Sequence, residues 1–432
     1  VVNNKICPTC KGQRLNSKIL SSKIMSKNIS DFTQMTIKEN LEFLNKLEDP
    51  TAKYIIDPLK KQLEALEYIG LSYLTLNRVT TTLSGGEAQR LKLIRHLNSS
   101  LSDLVYIIDE PSVGLHPEDI AKINEILKSL KDKGNTVLIV EHDPDVIKEG
   151  DYIIDMGPGS GKNGGEITFE GTYNELLSSN TSTGNALRNK HNLKENIREA
   201  NHFYNIGPVT QNNLNNVKTS IPKHVLTVLT GVAGSGKSTL VKAGFENNDH
   251  TIFIDQKAVQ GSNRSNLLTY LGVFDSVRSF FSKETGLNKA MFSYNSKGAC
   301  PNCGGKGYIK TELAFMGDFS QTCEVCHGKR YKQEVLDATI DGYSIADVLD
   351  LTVDEGIIFF DKKNDIKSKL QSVSKTGLNY MSLGQPLSTL SGGEIQRVKL
   401  AQHLDEEIKN SIFIFDEPTT GLHESDIPIL ME

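Results

Sequence analysis

The chain has 432 residues, and its 53 Asp and Glu against 48 Lys and Arg give a formal net charge of −5. This length allows about two to four domains, and the acidic balance restricts any nucleic-acid surface to a local patch. No apolar run approaches the roughly 18 residues of a transmembrane helix, and no signal-peptide pattern opens the chain, which together favour a cytoplasmic protein.

All six cysteines occur in C-x-x-C pairs, which in a cytosolic chain favour metal ligands over disulfides. The first pair, Cys7 and Cys10, lies in CPTCKGQR at 7–14, which mirrors CEVCHGKR at 323–330. We therefore expect residues 1–15 to be the second half of a zinc ribbon whose first half lies upstream of this chain.

The stretch LSGGEAQRLKLIRHL at 83–97 returns as LSGGEIQRVKLAQHL at 390–404, with eleven of fifteen positions identical. The offset of 307 residues also relates Tyr73 to Tyr380 and His116 to His423. Repeats this far apart predict two copies of one domain. Other motifs occur in one copy only, so the chain is expected to be cut at both ends from a longer duplicated protein.

Both repeated stretches predict a helix that opens on a capping box, from Ser84 and Glu87 in the first and from Ser391 and Glu394 in the second. If no ligand binds there, each stretch is simply a well-capped amphipathic helix. It does not explain the two glycines inside each box, since each glycine costs a helix about 1 kcal/mol relative to alanine. Glycine does let a ligand approach the N–H groups of the helix end, which suits a phosphate.

Apolar runs at 104–108 and 411–415 predict strands, which end in Asp109-Glu110 and Asp416-Glu417. Strand ends often carry solvated carboxylates, but recurrence at the repeat distance indicates a role. The aspartate would bind Mg²⁺ through water, and the glutamate would polarise an attacking water. His142 follows a further strand at 136–140 and could contact a γ-phosphate, although a single histidine is more often structural.

A strand is also predicted at Val225–Thr230, leading into the glycine loop GVAGSGKST at Gly231–Thr239. In this context successive backbone N–H groups form an anion cradle, Lys237 would reach the β- and γ-phosphates, and the Ser238 hydroxyl would help to hold Mg²⁺. A glycine turn without a ligand is the alternative. The predicted ATP- and Mg²⁺-binding residues of this phosphate loop are Gly231, Gly234, Gly236, Lys237, Ser238 and Thr239.

The spacing Cys300-x2-Cys303-x19-Cys323-x2-Cys326 matches a four-thiolate structural zinc site, whereas a redox motif would need one pair near the start of a βαβ unit. From 297 to 332, six Lys or Arg accompany three Asp or Glu. Two explanations fit this stretch equally well: contact with a phosphate backbone, or a small ribbon with solvated lysines and a few core aromatic residues. The interleaved aromatic residues are Tyr294, Tyr308, Phe315, Phe319 and Tyr331.

LSGGE, the phosphate loop and the Asp-Glu strand ends resemble the signature, Walker A and Walker B motifs of ABC-type ATPases. The resemblance implies that two copies meet head to tail and bind each ATP between the Walker A of one and the signature of the other. Gly231–Thr239, Asp416 and Glu417 would then face Ser84, Gly85 and Gly86. Ser391, Gly392 and Gly393 would face a first Walker A that lies outside this chain, and Asp109, Glu110 and His142 would stand beside that Walker A. Gln256 would be the Q-loop glutamine.

A zinc ribbon between Walker A and signature in a tandem ABC chain resembles the UvrA family, as do CPTCKGQRL, DEPSVGLHPED, VEHDPDVI and TTGLHESD. The resemblance implies an ATPase, not itself a nuclease, with ATP, Mg²⁺ and Zn²⁺, that recognises damaged double-stranded DNA in bacterial nucleotide excision repair. It also implies a homodimer and admits a UvrB-type helicase partner.

Several alternatives stay open on the sequence. NRVTT before the first signature and HLNSSLSDL after it look closer to shorter UvrA-like paralogues, some linked to antibiotic resistance. A tandem ABC translation factor would carry a charged helical linker and no ribbon, a transporter ATPase would need membrane partners, and a chromosome-organising ATPase would show long heptad arms.

Strands that alternate with helices predict an α/β fold with a mostly parallel sheet. We expect two incomplete ABC-type P-loop ATPase domains in tandem, with helical signature subdomains and an inserted zinc ribbon. The predicted segments are a half ribbon at 1–15, the C-terminal part of domain I at 16–177, a linker at 178–201, the N-terminal part of domain II at 202–290, a zinc ribbon at 291–335, and the signature and Walker B part of domain II at 336–432.

Overall fold

The computed structural model describes residues 7–47, 49–83, 85–97, 102–159, 161–188, 198–231, 234–248, 250–255, 265–313, 317–404 and 411–431. Two compact units divide the chain, and neither coincides with one copy of the repeat. The first unit joins Val1–Gly150 with Leu193–Glu246, and the second joins Asp151–Asn192 with Asn247–Glu432. The phosphate loop of the second copy therefore shares a unit with the signature stretch of the first.

The N-terminal part of the first unit is mainly helical and encloses one parallel strand pair. Its core includes Ile37 and Leu41 on one helix and Ile120, Ile123 and Leu127 on another, spaced as one helical face requires. Its elements are helices α1 Ser17–Leu20, α2 Ile29–Gln34, α3 Ile37–Asn45, α4 Lys53–Tyr68, α5 Gly85–Leu97, α6 Pro117–Asp132 and α7 Pro144–Ile147, and strands β1 Val105–Asp109 and β2 Thr136–Val140.

Strands β1 and β2 pair in parallel, with Val105 opposite Thr136 and Asp109 opposite Val140. This register brings the carboxyl ends of both strands to one edge, so the residues that follow them, Glu110 and Glu141, are neighbours. Backbone bonding continues past the strands, since the Glu110 N–H donates to the Val140 carbonyl at 2.8 Å. The pair thereby positions the carboxylates predicted from the sequence.

The middle of the chain is built from two antiparallel hairpins with short helices beside them. The first hairpin, with the two helices after it, belongs to the second unit, and the second hairpin and its helix belong to the first unit. The elements are β3 Ile153–Gly157, β4 Glu166–Gly171, α8 Tyr173–Ser178, α9 Ser182–Arg188, β5 Phe203–Gln211, β6 Leu214–Pro222, α10 Lys237–Phe245 and β7 Thr251–Ile254.

The strand predicted at Val225–Thr230 is absent from the described residues, so this prediction was wrong. Leu226 and Val228 are 70% and 74% exposed. A run of this kind becomes a strand only when a neighbouring strand supplies its hydrogen bonds and covers its side chains. Apolar composition alone could not show whether that neighbour is present.

The rest of the second unit is a large, mostly helical core with a small hairpin on it. Phe281, Phe292 and Leu370 are among its fully buried residues. Its elements are α11 Leu267–Tyr270, α12 Phe274–Thr285, β8 Tyr308–Leu313, β9 Gly317–Thr322, α13 Gln333–Leu336, β10 Thr339–Ile340, β11 Tyr343–Ser344, α14 Ile345–Asp350, α15 Val353–Phe359, α16 Asn364–Lys375, α17 Gly392–His403, β12 Ile412–Phe415 and α18 Ile427–Met431.

Among the described residues the strands form six two-stranded sheets, of which β1–β2 and β7–β12 are parallel. The expected mostly parallel sheet therefore differs from the structure, because the other four pairs are hairpins whose strands are joined by local turns. The α/β class is confirmed. No helix in the described part of the chain is both long enough and apolar enough to cross a membrane.

Candidate nucleotide-binding and zinc sites

The phosphate loop adopts the backbone that its glycines predict. Gly234 and Gly236 have φ angles of +73° and +97°, in the left-handed region that favours glycine. Helix α10 begins at Lys237 directly after Gly236, an N-cap residue that has no side chain with which to cap the helix. The Lys237 ammonium donates to the Gly231 carbonyl at 2.6 Å, which folds the side chain back over the loop.

The turn between β5 and β6 supports this loop, a role that the sequence analysis missed. The Asn213 amide donates to the Gly234 carbonyl at 2.8 Å, and the Asn212 amide donates to Thr239 Oγ1 at 3.3 Å. A Cβ on Gly236 would lie 2.7 Å from a methyl carbon of Leu214, so the hairpin leaves room only for glycine there. The Asn-Asn pair between two alternating runs was the available signal.

Within the first unit, the phosphate loop reaches the region of the first signature helix, α5. A Cβ on Gly234 would lie 3.2 Å from ring atoms of Tyr73, and the Tyr73 hydroxyl donates to Glu87 Oε1 of α5 at 2.6 Å. Burial, and then the hydrogen bond to Glu87, raise the pKa of Tyr73 well above its usual value. Arg78 contacts Glu87 Oε2 at 3.3 Å. Ser84 lies outside the described residues, while Gly85 and Gly86 form the first turn of α5.

The second signature helix, α17, has the predicted capping box. The Ser391 N–H donates to Glu394 Oε2 at 2.8 Å, and the Glu394 N–H donates to Ser391 Oγ at 3.3 Å. The Tyr380 hydroxyl donates to Glu394 Oε1 at 2.7 Å, as Tyr73 does to Glu87. Gly392 begins the helix and Gly393 follows it, buried against the loop after β12.

The first acidic strand end brings three predicted residues together. Glu110 follows Asp109 with a φ of +45°, and its Oε1 lies 3.7 Å from Nε2 of His142. Burial raises the pKa of Glu110, with the His142 side chain opposing the shift and the charges of Asp109 and Glu141 adding to it. A carboxyl with a raised pKa beside a histidine suits a general base.

The second acidic strand end is held by two side chains of α17. The Gln396 amide donates to the carbonyls of Ile254 and Asp416, each at 3.0 Å, which ties β12 to β7. The Lys399 ammonium donates to Asp255 Oδ1 at 2.6 Å. Glu417 follows Asp416 with a φ of +49°, the same left-handed backbone as Glu110. Gln256, predicted as the Q-loop residue, lies outside the described residues.

The predicted site residues thus divide between the two units. The first contains Asp109, Glu110, His142, the start of α5 and the phosphate loop, whereas the second contains Asp416, Glu417 and Ser391–Gly393. The contact between the phosphate loop and Tyr73 belongs to the first unit alone. The pairing of Lys237 with Asp416 and Glu417 stays a prediction.

Four cysteine sulfurs form a compact, buried cluster. The Sγ atoms of Cys300, Cys303, Cys323 and Cys326 all lie within 4.8 Å of one another, with 4.0 Å between Cys300 and Cys323 and 3.7 Å between Cys303 and Cys326. Tetrahedral zinc with Zn–S bonds of about 2.3 Å needs S–S distances of about 3.8 Å. This donor set therefore fits a structural zinc ion.

Peptide and amide groups around the cluster stabilise negative sulfur. The Asn302 amide donates to Cys323 Sγ at 3.4 Å, and the Gly307 N–H donates to Cys303 Sγ at 3.2 Å. The backbone N–H of Cys326 and then the Asn302 amide lower the pKa of Cys323 to about 6. A metal-binding thiol must lose its proton, so these donors favour the metal-bound form.

The segment with Cys7 and Cys10 repeats the backbone of the second knuckle of the ribbon. The N–H of Lys11 donates to the Cys7 carbonyl at 2.8 Å, as the N–H of His327 donates to that of Cys323. The φ angles at Lys11, Gly12 and Arg14 are +49°, +87° and +63°, against +47°, +87° and +71° at the corresponding residues 327, 328 and 330. The segment thus shares the backbone conformation of the second knuckle, and its role as half of a zinc site stays a prediction.

Two of the aromatic residues around the ribbon are core residues. Tyr294 and Tyr331 are 0% and 1% exposed, and their ring centroids lie 5.7 Å apart. Packing therefore explains both of them. Phe315 and the side chain of Phe319 lie outside the described residues, and Tyr308 is 37% exposed.

Comparison with known proteins gives consistent matches. A family profile described as "ABC transporter" matches residues 214–420. The chain is 42% identical to the UvrABC system protein A of Clostridium perfringens, over 99% of this chain and 50% of the relative. For the same protein of Bacillus subtilis the identity is 41%, over 100% of this chain and 49% of the relative.

A solved structure is similar over nearly the whole chain. The crystal structure of UvrA2 from Deinococcus radiodurans superposes with a TM-score of 0.92 at 38% identity, covering 98% of this chain and 57% of that one. The chain spans about half the length of the curated relatives that it matches.

Proposed function

Because the chain belongs to the UvrA family, we propose that it is part of an ATP-dependent subunit that recognises DNA damage in bacterial nucleotide excision repair. The curated relatives are named UvrABC system protein A. Their names favour the repair subunit over the alternative of an antibiotic-resistance paralogue. In this proposal the protein is a cytoplasmic homodimer that binds damaged double-stranded DNA and cooperates with a UvrB-type helicase.

The observation that carries the proposal is the contact between Gly234 of the phosphate loop and Tyr73, which is hydrogen bonded to Glu87 of the first signature helix. It supports a composite nucleotide site in which the loop of one copy faces the signature of the other. Lys237, Ser238 and Thr239 would hold the phosphates and Mg²⁺ on one side, and Ser84, Gly85 and Gly86 would contact the γ-phosphate on the other.

Within this proposal, the residues after the Walker B strands prepare water for attack. Glu110 and Glu417 would accept the proton, while Asp109 and Asp416 would hold Mg²⁺ through water. The raised pKa of Glu110 makes it a stronger base than an exposed glutamate. His142, whose Nε2 lies 3.7 Å from Glu110, would orient the attacked phosphate.

The four ribbon cysteines would hold zinc in a closed structural site, with no open position for chemistry. Cys7 and Cys10 would contribute half of a second such site. Zinc bound to Cys300, Cys303, Cys323 and Cys326 would rigidify the hairpin β8–β9.

The primary test is ATP turnover by the full-length protein with Lys237→Ala. We expect turnover at this composite site to be abolished, because Lys237 is the cation that reaches the transferred phosphate. Lys242→Ala is the matched control, since Lys242 lies exposed on the same helix, α10, beyond the loop. Equal turnover in the two variants would refute the proposed cradle.

A second test compares DNA ligands at physiological salt. We expect tighter binding of a duplex with a bulky adduct than of the undamaged duplex, because shape and deformability are recognised rather than sequence. Both affinities should fall as salt rises, since phosphate contacts release counterions. Equal affinity for the two duplexes would exclude the repair assignment.

A further inference from the structure

In the second unit, a polar chain joins the β3–β4 hairpin to the loop that follows the second Walker B strand. The Thr183 hydroxyl of α9 donates to Asp155 Oδ1 of β3 at 2.6 Å, and Thr183 Oγ1 lies 3.0 Å from Nε2 of His423. On the other side of the ring, Nδ1 of His423 lies 2.7 Å from Ser425 Oγ and 3.2 Å from the Ser425 N–H. Asp155 is buried, at 9% exposed.

The proton positions in this chain follow from the donors. A threonine hydroxyl has one hydrogen, and Asp155 accepts it, so Thr183 Oγ1 accepts a hydrogen bond from His423. Nε2 of His423 therefore carries a proton. Nδ1 faces the Ser425 N–H, which can only donate, so Nδ1 is the unprotonated acceptor. The contacts thus select one neutral tautomer and one ring orientation.

The two residues that hold the ring are themselves fixed. A Cβ on Gly184, next to Thr183, would lie 2.4 Å from the Leu176 carbonyl of α8, so the two helices touch through backbone at this point. Asp155 pairs with Phe169 in the β3–β4 ladder, and its carbonyl accepts from Thr168 Oγ1 at 3.1 Å. A rigid support can impose an orientation on a loop.

The loop that ends at His423 lies between proposed elements of both nucleotide sites. Its Thr420 N–H donates to the Glu417 carbonyl at 3.1 Å. A Cβ on Gly393 of the second signature helix would lie 3.0 Å from the Thr420 carbonyl. A change in the position of this loop would therefore displace both the proposed general base Glu417 and the second signature helix.

We propose that Thr183 is a positioning residue: with Asp155 it orients His423, and through His423 it holds the loop that carries Glu417 against the second signature helix. Asp155 lies in the segment predicted as the C-terminal part of the first copy and Thr183 in the predicted linker after it, whereas the loop belongs to the second copy. This inference rests on the proposed ATPase function for its effect on turnover, while the hydrogen-bond chain itself is independent of that function.

The test uses Thr183→Val, which keeps the shape and removes the hydroxyl, and Thr183→Ser, which keeps the hydroxyl. Thr168→Val is the matched control, because it removes a hydroxyl that donates to the carbonyl of the same Asp155. In the full-length protein, ¹⁵N-histidine NMR reports the tautomer of His423, with its signals assigned by His423→Gln. Steady-state kinetics gives kcat and KM for ATP.

We expect Thr183→Val to shift the His423 signals away from the pure Nε2–H tautomer and to lower kcat about 5-fold with KM unchanged, as loss of one positioning hydrogen bond predicts. Thr183→Ser should restore both readouts, and Thr168→Val should leave both as in the wild type. Unchanged His423 signals in Thr183→Val, or altered signals with unchanged kcat, would overturn the proposal. A wild-type protein without turnover would instead refute the proposed function, since the tautomer readout does not depend on ATP.

Discussion

The two signature helices, α5 and α17, share their local contacts and differ in what covers them. In each, a tyrosine eleven residues before the capping serine position donates to the helix glutamate, with Tyr73–Glu87 at 2.6 Å and Tyr380–Glu394 at 2.7 Å. A glycine loop lies on each tyrosine. Gly234 of the phosphate loop covers Tyr73, whereas Gly161 covers Tyr380, with 3.3 Å from its Cβ position to the Tyr380 ring.

The tyrosine–glutamate pair therefore belongs to the repeated unit, while the covering loop does not. Gly161 belongs to the hairpin β3–β4 and Gly234 to the segment after β6, and the two share only the letters GSGK around them. Four experiments test whether the two signature helices differ in this way.

The largest effect is expected from alanine at the covering glycines. Gly234→Ala places a Cβ against the Tyr73 ring at a φ of +73°, and a left-handed alanine costs about 1–2 kcal/mol. We expect ATP affinity at the phosphate loop to fall about 5- to 30-fold. Gly161→Ala is strained in the same way but should lower only the stability of the second unit. Equal losses of ATP affinity in the two variants, measured by calorimetric titration, would contradict the distinction.

The next effect tests the shared tyrosine pair. Tyr73→Phe and Tyr380→Phe each remove a hydroxyl that donates to a glutamate, which should cost about 1–2 kcal/mol in the free energy of unfolding. Urea unfolding, followed separately for the two variants, measures both costs. A cost in one variant only would show that the two pairs are not equivalent.

A smaller effect is expected from Arg78, since the repeat offset places Gln385 at the equivalent position in the second copy. Arg78→Gln makes the first copy resemble the second and removes the 3.3 Å ion pair with Glu87. Because the Arg78 side chain is 35% exposed, the loss should be at most about 1 kcal/mol and should shrink with added salt. A loss that is independent of salt would mean that packing, not charge, is the contribution.

The smallest effect concerns pH and Glu110. Burial raises the pKa of this carboxyl in the folded state, so its ionisation destabilises the fold increasingly as pH rises above the unfolded value of about 4.3. Glu110→Gln should therefore melt slightly higher than the wild type at pH 7 and equally at pH 3.5, where both side chains are neutral. A difference that persists at pH 3.5 would assign the effect to shape rather than charge.

Local chemistry explains which features were predictable. The capping box at Ser391, the left-handed backbone of the glycine loop and the cysteine knuckles depend on residues within a few positions of one another. The contact at Nδ1 of His423 is also local, because the ring accepts from the N–H of Ser425, two residues later. His116, at the equivalent position of the first copy, makes the same contact with the N–H of Glu118. The contact of Nε2 of His423 with Thr183 joins residues 240 positions apart, and no sequence pattern indicates it.

Residue order alone was enough to predict the duplication, the α/β class, the residue types of the nucleotide motifs and the four-cysteine set, because each depends on short-range spacing or on a fixed repeat distance. The folded chain was needed to show that Gly234 lies against Tyr73, that Asn213 supports the phosphate loop, that Val225–Thr230 is not a strand and that Tyr294 is a core residue. Those outcomes depend on which distant surfaces meet, and burial and hydrogen bonding across such surfaces have no period that one chain can reveal.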